Sequence, residues 1–552
     1  MKGKKKFNGK GKPPRFNKNY KGGNRGEERA NQNDSVPQRE NDARLSSLND
    51  FSWYNANPAL IQASASIPFP YRPGMAMDLI KSTDSAARIA NYHIPGIAVL
   101  EWTPSIGNSF TATDPASVAA KEIYAKVREK FSGSLDADPP DFIIYLLALD
   151  SIYSAVGAAK RIFRIISTYS PNNFYLPEKL LIALGIDDND IQNWVTNKMS
   201  LYQYINEIIG MVQKFRCPAV MDIFNRHYWM NDNIYLDAPT ANAQMYAFCQ
   251  SRYFKYTLIN TPAGVPAGGL SLVNIDMREP KSWYEGVRGL IDALAGSEDA
   301  YTISGYLMRA FEGEPIFGVD PVTLTDVFQP VYVEEVLSQI ENSHTIDFGM
   351  RLDDFTISQD PSTNAVLCQV TAGADFGTGK YANEASAASI AGLSLNPVLS
   401  LRTDMPTAAE VTIASRLCAV TTVPQVDESG TRVSSVIWAG TEVPEIWRFY
   451  TNEHDLDDGI TFRGRKVYSG SFYIRTTQDE SDEWNAGVMP LVTCFNWHPI
   501  CVLVQTVVNG DSWDFYPYVL GDLHNLTTLS QGDLTNLHRV CLFSEFNSFR
   551  IQ

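Results

Sequence analysis

The stretch Phe142–Ile166 (FIIYLLALDSIYSAVGAAKRIFRII) carries apolar side chains on nearly every face of a helix. A helix of that kind belongs in the middle of a large core or in a lipid bilayer. Asp150, Lys160, Arg161 and Arg164 interrupt it, so no clean run of about 20 apolar residues exists. It reads as a buried core helix, entered through Asp138-Pro139-Pro140, because proline is tolerated in a helix's first turn. The rest of the chain must wrap it. At 552 residues and 44% hydrophobic there is ample material, and the length argues for more than one domain. No glycine period, long heptad run or internal repeat is present, which excludes collagen-like and coiled-coil fibres.

Around this helix the sequence has three textures. Residues 1–50 are rich in Lys, Gly, Asn, Arg and Gln and nearly devoid of aliphatic side chains, so they read as a disordered segment. A lead-in rich in Pro, Ala and small residues follows and reads as extended, ending at SIPFPYRPG (Ser66–Gly74). From about Met75 to Phe215 the signal is helical, with VAAKEIYAKVREKF (Val118–Phe131) and a helix after Asp187 beside the core helix. Pro218–Ile275 is irregular and aromatic-rich. Helices return over SWYEGVRGLIDALAG, AYTISGYLMRAFEG and VYVEEVLSQIENS. After about Thr345 the period becomes two and β-branched residues dominate, with AAEVTIASRL (Ala408–Leu417) a helical exception. The expected class is α+β. The expected division is 1–50 as a basic nucleic-acid-binding arm, 51–345 as a mainly helical domain and 346–552 as a β-rich domain. The last has a possible return to the first, since an inserted β domain would look much the same.

The net charge of −16 is a sum over two unlike parts. Residues 1–25 hold ten basic side chains and no acidic one: Lys2, Lys4, Lys5, Lys6, Lys10, Lys12, Arg15, Lys18, Lys21 and Arg25. What remains has 36 basic and 62 acidic groups, a net of −26 on residues 26–552. Lys and Arg neutralise phosphates and release counterions, while the interleaved Phe7, Phe16 and Tyr20 can stack on unpaired bases. A body of −26 repels nucleic acid, so the arm rather than a folded groove is the expected contact. The competing readings are a solubilising tail or a nuclear-localisation patch.

Seven cysteines, an odd number scattered over a long chain, do not form a disulfide framework; buried, reduced thiols and an intracellular site of synthesis are expected. The N-terminus MKGKKKFNGKGK lacks the apolar region of a secretory signal. Enzyme-like fragments do not hold up. GADFGTGK (Gly373–Lys380) has five residues between Gly373 and Gly379 where a phosphate loop needs four, and Tyr381 where it needs Ser or Thr; it reads as a turn. Cys494, His498 and Cys501 lack a fourth zinc ligand and read as buried thiols at a bend between two strands. Asp187-Asp188-Asn189-Asp190 lacks the Gly and Glu of a calcium loop and reads as a helix cap. Asp353-Asp354 and Asp457-Asp458 read as solvated loop charges. His93, His227 and His344 have no partner nearby in sequence. No catalytic residue, metal site or cofactor is expected, and no stable membrane insertion.

The KGKKK…RFNKNY arm, the segment NANPALIQASASIPFPYRPG, RHYWMNDNIYLDAP (Arg226–Pro239) and the length together resemble the capsid proteins of picobirnaviruses, closely those of a human one. The resemblance runs over the whole chain and rests on overall texture rather than a catalytic fingerprint. It implies a non-enveloped icosahedral shell around segmented double-stranded RNA, built from about sixty homodimers. It implies a helix-rich shell domain and a β-rich protruding domain in each subunit. It places the protein in the virion after synthesis in the host cytoplasm. Some relatives shed an N-terminal peptide by self-cleavage; the Asn55-Ala56 bond, where arm meets body, is the candidate here. A host receptor is not readable. The alternative function is a free single-stranded-RNA-binding protein that forms no particles, and the third is a hydrolase with an uncharted site.

Overall fold

Asp138 opens the central helix as expected. Its N–H donates to the Asp141 carboxylate at 2.8 Å, Pro139 and Pro140 fill the first turn, and the helix runs Pro139–Ser167. The computed structural model describes residues 56–77, 92–168, 175–240, 242–297, 299–348, 350–374, 395–422, 425–426, 432–455, 459–470, 472–475, 488–509 and 512–548. The central helix is long and apolar enough to cross a membrane, yet 23 of its 29 residues are buried inside the fold. Phe142, Ile143, Leu146, Leu149 and Ile152 are wholly covered, each contributing about 2 kcal/mol of burial.

Among the helices that wrap it, Pro115–Lys130, Lys198–Val212 and Asp222–Asp232 pack most extensively. Tyr124 meets Phe142 edge-on at 6.1 Å, and Tyr153 meets Phe224 in the same way. Gly157 lets the Asp222–Asp232 helix come close, since a Cβ there would lie 3.2 Å from the Tyr228 ring. The helices Pro280–Ala295, Ala300–Ala310 and Glu334–Glu341 form where the sequence places them. The helix expected after Asp187 breaks at Asn197, whose amide donates to the Asn193 carbonyl at 2.9 Å.

The helical half also contains strands. IAVLEWTP forms the strand Ile97–Pro104 inside the region read as helical. A continuous apolar run carries no period, and this one is buried on both faces. Ile97 and Val99 enter the main core, while Ala98, Leu100 and Trp102 enter a second core with Tyr246, Trp447 and Phe449. The region read as irregular holds the buried strands Ile234–Leu236 and Met245–Gln250 and the hairpin Tyr253–Asn260/Pro266–Val273. That hairpin turns through Thr261–Val265 with Gly264 at φ +78°.

The two textures interleave in space. One five-stranded sheet runs in the order Gly459–Val467, Glu442–Asp455, Ile97–Pro104, Met245–Gln250, Ile234–Leu236. Glu442–Asp455 lies antiparallel to Ile97–Pro104, with Trp447 opposite Leu100 and a bulge between Pro444 and Ile446. A second sheet pairs Thr356–Asp360 with Pro266–Val273 through Leu270 and Ile357. Chain after residue 345 thus completes sheets begun before it.

Three further local expectations change. The lead-in segment is not extended: Asn57 caps a two-turn helix, Pro58–Ala65, by accepting from the Ala59 N–H at 3.0 Å. The stretch around Cys494 is not a strand pair: residues 488–492 are helical and only Cys501–Asn509 is a strand. The β-rich half ends in a helix, Gln531–Glu545, capped by Ser530 and Asp533 and buried along Leu534, His538, Cys541 and Leu542. With helices and sheets mixed along the chain, the class is α+β.

Candidate functional site

The residues proposed from sequence to touch RNA, Lys2 to Arg25, lie outside the described residues, as do Asn55, most of GADFGTGK and Asp457-Asp458. Ala56 is described and exposed. The other candidates have plain surroundings. Asp187 accepts from the Asn189 N–H at 3.0 Å, as a cap does. Asp354 pairs with Arg252 at 2.9 Å while mostly in solvent. Cys494 is exposed, whereas His498 and Cys501 are buried. All seven cysteines are free thiols, five of them buried. Among the described residues no group of three or more His, Cys, Asp or Glu could hold a metal ion.

The constellation that sequence reading missed is buried. Asp150 comes from the central helix, Arg226 and His227 from Asp222–Asp232, and Arg416 from the short turn Ser415–Leu417. Glu442 opens the long strand, and Glu545 closes the C-terminal helix. The Asp150 carboxylate sits 2.6 Å from His227 Nδ1. His227 Nε2 faces Thr441 Oγ1 at 3.2 Å and Glu442 Oε1 at 3.6 Å. Glu442 also takes Arg226, and lies 3.7 Å from Arg416, which in turn holds Glu545. Arg226 reaches Gln339 at 3.3 Å and lies over the Trp229 ring. The signal was divided among residues 150, 226–227, 416, 442 and 545, so no sequence window contained it.

Burial alone would push the His227 imidazole down, but Asp150 and Glu442 outweigh it and hold the group up at about 10. Burial lifts the Asp150 carboxyl while His227 pulls it back. One proton serves that contact, and it belongs on His227 because Glu442 faces the same ring. Burial also opposes charge on Glu442, yet Arg226, Arg416 and His227 hold its carboxyl well below the usual carboxylate range. Three cations therefore face three anions with no net charge.

Asp150, His227 and Thr441 are spaced like an acid–base–hydroxyl triad. The chemistry differs. His227 keeps its proton near neutral pH and so cannot accept one, Glu442 occupies the far side of its ring, and Thr441 is 1% exposed. What the arrangement does is tie distant segments together. Close packing supports it: a Cβ on Gly440 would meet Glu442 Oε2 at 2.5 Å. Nearby, His538 of the C-terminal helix lies between the carbonyls of Gly440 and Ile106, with Nδ1 2.8 Å from the first and Nε2 3.1 Å from the second. Gly107, at φ +86°, leaves room for that imidazole, which a Cβ would strike.

The family model described as picobirnavirus capsid protein matches residues 53–470. The chain belongs to the picobirnavirus capsid protein family. It is similar to the capsid protein precursor of a human picobirnavirus (strain Human/Thailand/Hy005102/-), at 27% identity over 553 aligned positions and 95% of each chain. Its fold is similar to an X-ray crystallographic structure of the picobirnavirus capsid, with a TM-score of 0.73 over 90% of this chain and 98% of that one, at 21% identity. As a picobirnavirus capsid protein it is a structural component of the virion. In a coat protein the buried ionic cluster has an architectural meaning: it fixes the C-terminal helix, the long strand and the central helix in one subunit body.

Proposed function

We propose that this chain dimerises and that about sixty dimers close an icosahedral shell around double-stranded RNA segments, with residues 1–25 holding the RNA without sequence preference. Family membership supports the coat role. The observation that carries the division of labour is the charge: +10 on residues 1–25 against −26 on the rest. Residues 51–345, with the strands that return to their sheets, form the shell region on this reading, and β-rich parts of 346–552 protrude.

Particles of a chain lacking residues 1–25 are expected to form and to carry several-fold less RNA than full-length particles, measured by the ratio of absorbance at 260 and 280 nm. RNA retained on the full-length protein should fall steeply with salt, since about ten phosphate contacts make affinity strongly salt-dependent. Equal RNA content in both particles would remove the arm from this role. Loss of all particles would make the arm an assembly element instead.

The same reading makes Asn55-Ala56 a self-cleavage bond, by attack of the Asn55 side-chain amide on its own carbonyl carbon. The mass of the chain from mature particles should correspond to a start at Ala56, and Asn55→Ala should leave it whole. A mature mass that includes Met1, or cleavage unchanged in the variant, would rule this out.

A further inference from the structure

The strand Asn525–Thr528 lies on the open side of a two-stranded sheet. Its neighbour Val398–Leu401 is buried along its length and pairs with it antiparallel, with Ser400 opposite Leu526. The far side of Ser400 is closed by Asn342, whose Oδ1 accepts from the Ser400 N–H at 2.6 Å and whose Nδ2 donates to the Ser400 carbonyl at 3.1 Å. The backbone groups of Ser400 thus point away from Asn525–Thr528. In an antiparallel ladder the residue opposite then points its own groups the other way, so the N–H and C=O of Leu526 face outward. No strand lies on that side among the described residues. A two-stranded sheet is marginal by itself, and an open edge is a template for another chain.

Neighbouring edges are blunted. Gly459–Val467 carries Arg463, Arg465 and Lys466, and the edge strand Ser512–Leu520 carries Pro517. Asn525–Thr528 has neither charge nor proline. Residues 402–409, 516–519 and 522–528 around it are exposed throughout, and Asn525 Nδ2 donates to the Asp404 carbonyl at 3.4 Å, joining the first group to the last. Met405 is 86% exposed and Leu526 53%, with Leu523, Tyr518 and Val519 near half. These nineteen positions approach the roughly 20–30 that a standard interface takes from each partner, and Tyr and Met are enriched in such interfaces. Their charges are Arg402, Asp404 and Asp522, with Arg402 4.0 Å from Asp522. The body as a whole carries −26, so two copies repel one another over most of their surface. A net of −1 on this strip lets a second copy approach here.

We propose that Asn525–Thr528 pairs antiparallel with the same strand of a second copy across a two-fold axis near Leu526, joining two two-stranded sheets into one of four strands. A two-fold axis sets a strand antiparallel to its own copy, and the outward N–H and C=O of Leu526 then meet the same groups of that copy. Met405, Leu523 and Tyr518 are covered around them. The inference rests on the dimer proposed above and supplies its contact.

Leu526→Asp and Leu526→Lys each place like charges at the axis. In the full chain released from particles, sedimentation should show dimerisation weakened at least about 100-fold in either variant. Mixed together, the two variants should associate again, because opposite charges then meet. The side chain is exposed in the subunit, so both unfolding midpoints should stay within a few degrees of the wild type. Amides of residues 525–528 should exchange hydrogen about tenfold more slowly in the wild-type dimer than in monomer at high dilution. A dimer unchanged in both variants, a mixture that does not associate, or equal exchange in dimer and monomer would overturn this contact and leave the dimer standing. Variants that dimerise normally but close no particles would place the strand at another contact and also overturn it. A wild-type chain that is monomeric at every concentration would remove the dimer itself, and this contact with it.

Discussion

Replacing Glu442 with Leu should cost the folded subunit about 3–5 kcal/mol, measured by urea unfolding of disassembled protein. The carboxylate is wholly buried and faces Arg226, Arg416 and His227 together. Removing it leaves three buried cations against Asp150 and Glu545 alone. Replacing several members at once should cost less than the single changes add up to. Glu442→Leu combined with Arg226→Met removes one charge of each sign, and a buried ion pair can give way to apolar groups at little net cost. A loss under about 1 kcal/mol for Glu442→Leu would mean that the cluster does not hold the segments. The pH dependence has a defined sign. His227, raised in the fold to about 10, contributes stability that is complete below its unfolded value of 6.5 and is lost as pH rises toward 10. Glu442, depressed in the fold, contributes stability present above its ordinary 4.5 and lost as pH falls through its folded value.

The second large effect is acid lability from His344. Its Nδ1 donates to the Ala419 carbonyl at 2.6 Å, while Nε2 is buried with no partner among the described residues. Gly470 packs against the ring so closely that a Cβ there would lie 3.1 Å from His344 Cε1. Burial pushes the imidazole down to about 4, against carbonyl contacts that raise it. A neutral histidine of this kind contributes stability present above pH 6.5 that is lost as pH falls toward 4, because the unfolded chain takes the proton first. The full effect is about 3 kcal/mol. Between pH 7.5 and 4.5 the wild-type subunit should lose about 2–3 kcal/mol more than His344→Asn, in which an amide replaces the Nδ1–H donor without titrating. Equal slopes for the two proteins would refute this.

The fold was legible where local chemistry decided it. Proline and aspartate at 138–141 and the all-round apolar run after them specified the central helix, and the period-two texture after residue 345 marked most of the strands. It was illegible where one segment's meaning lay in another. Ile97–Pro104 has no alternation because both its faces are covered, one of them through Trp447 on a strand 347 residues further along. The C-terminal helix carries polar residues on several faces, and its role rests on His538 and Glu545 reaching Gly440 and Arg416. The histidines showed the same limit: His227 looked solitary in sequence, yet its partners are residues 150, 441 and 442. The proposal for residues 1–25 rests on composition alone, because attraction to phosphate needs charge density rather than a fold, and those residues lie outside the described ones.

The central claim, that copies of this chain close a shell by themselves, is tested most directly by electron microscopy of the purified protein with a particle mass measurement. The account predicts closed icosahedral particles of about 7 MDa, near 120 copies of a 61.5 kDa chain. A preparation that stays monomeric or dimeric and binds single-stranded RNA in that form would contradict it.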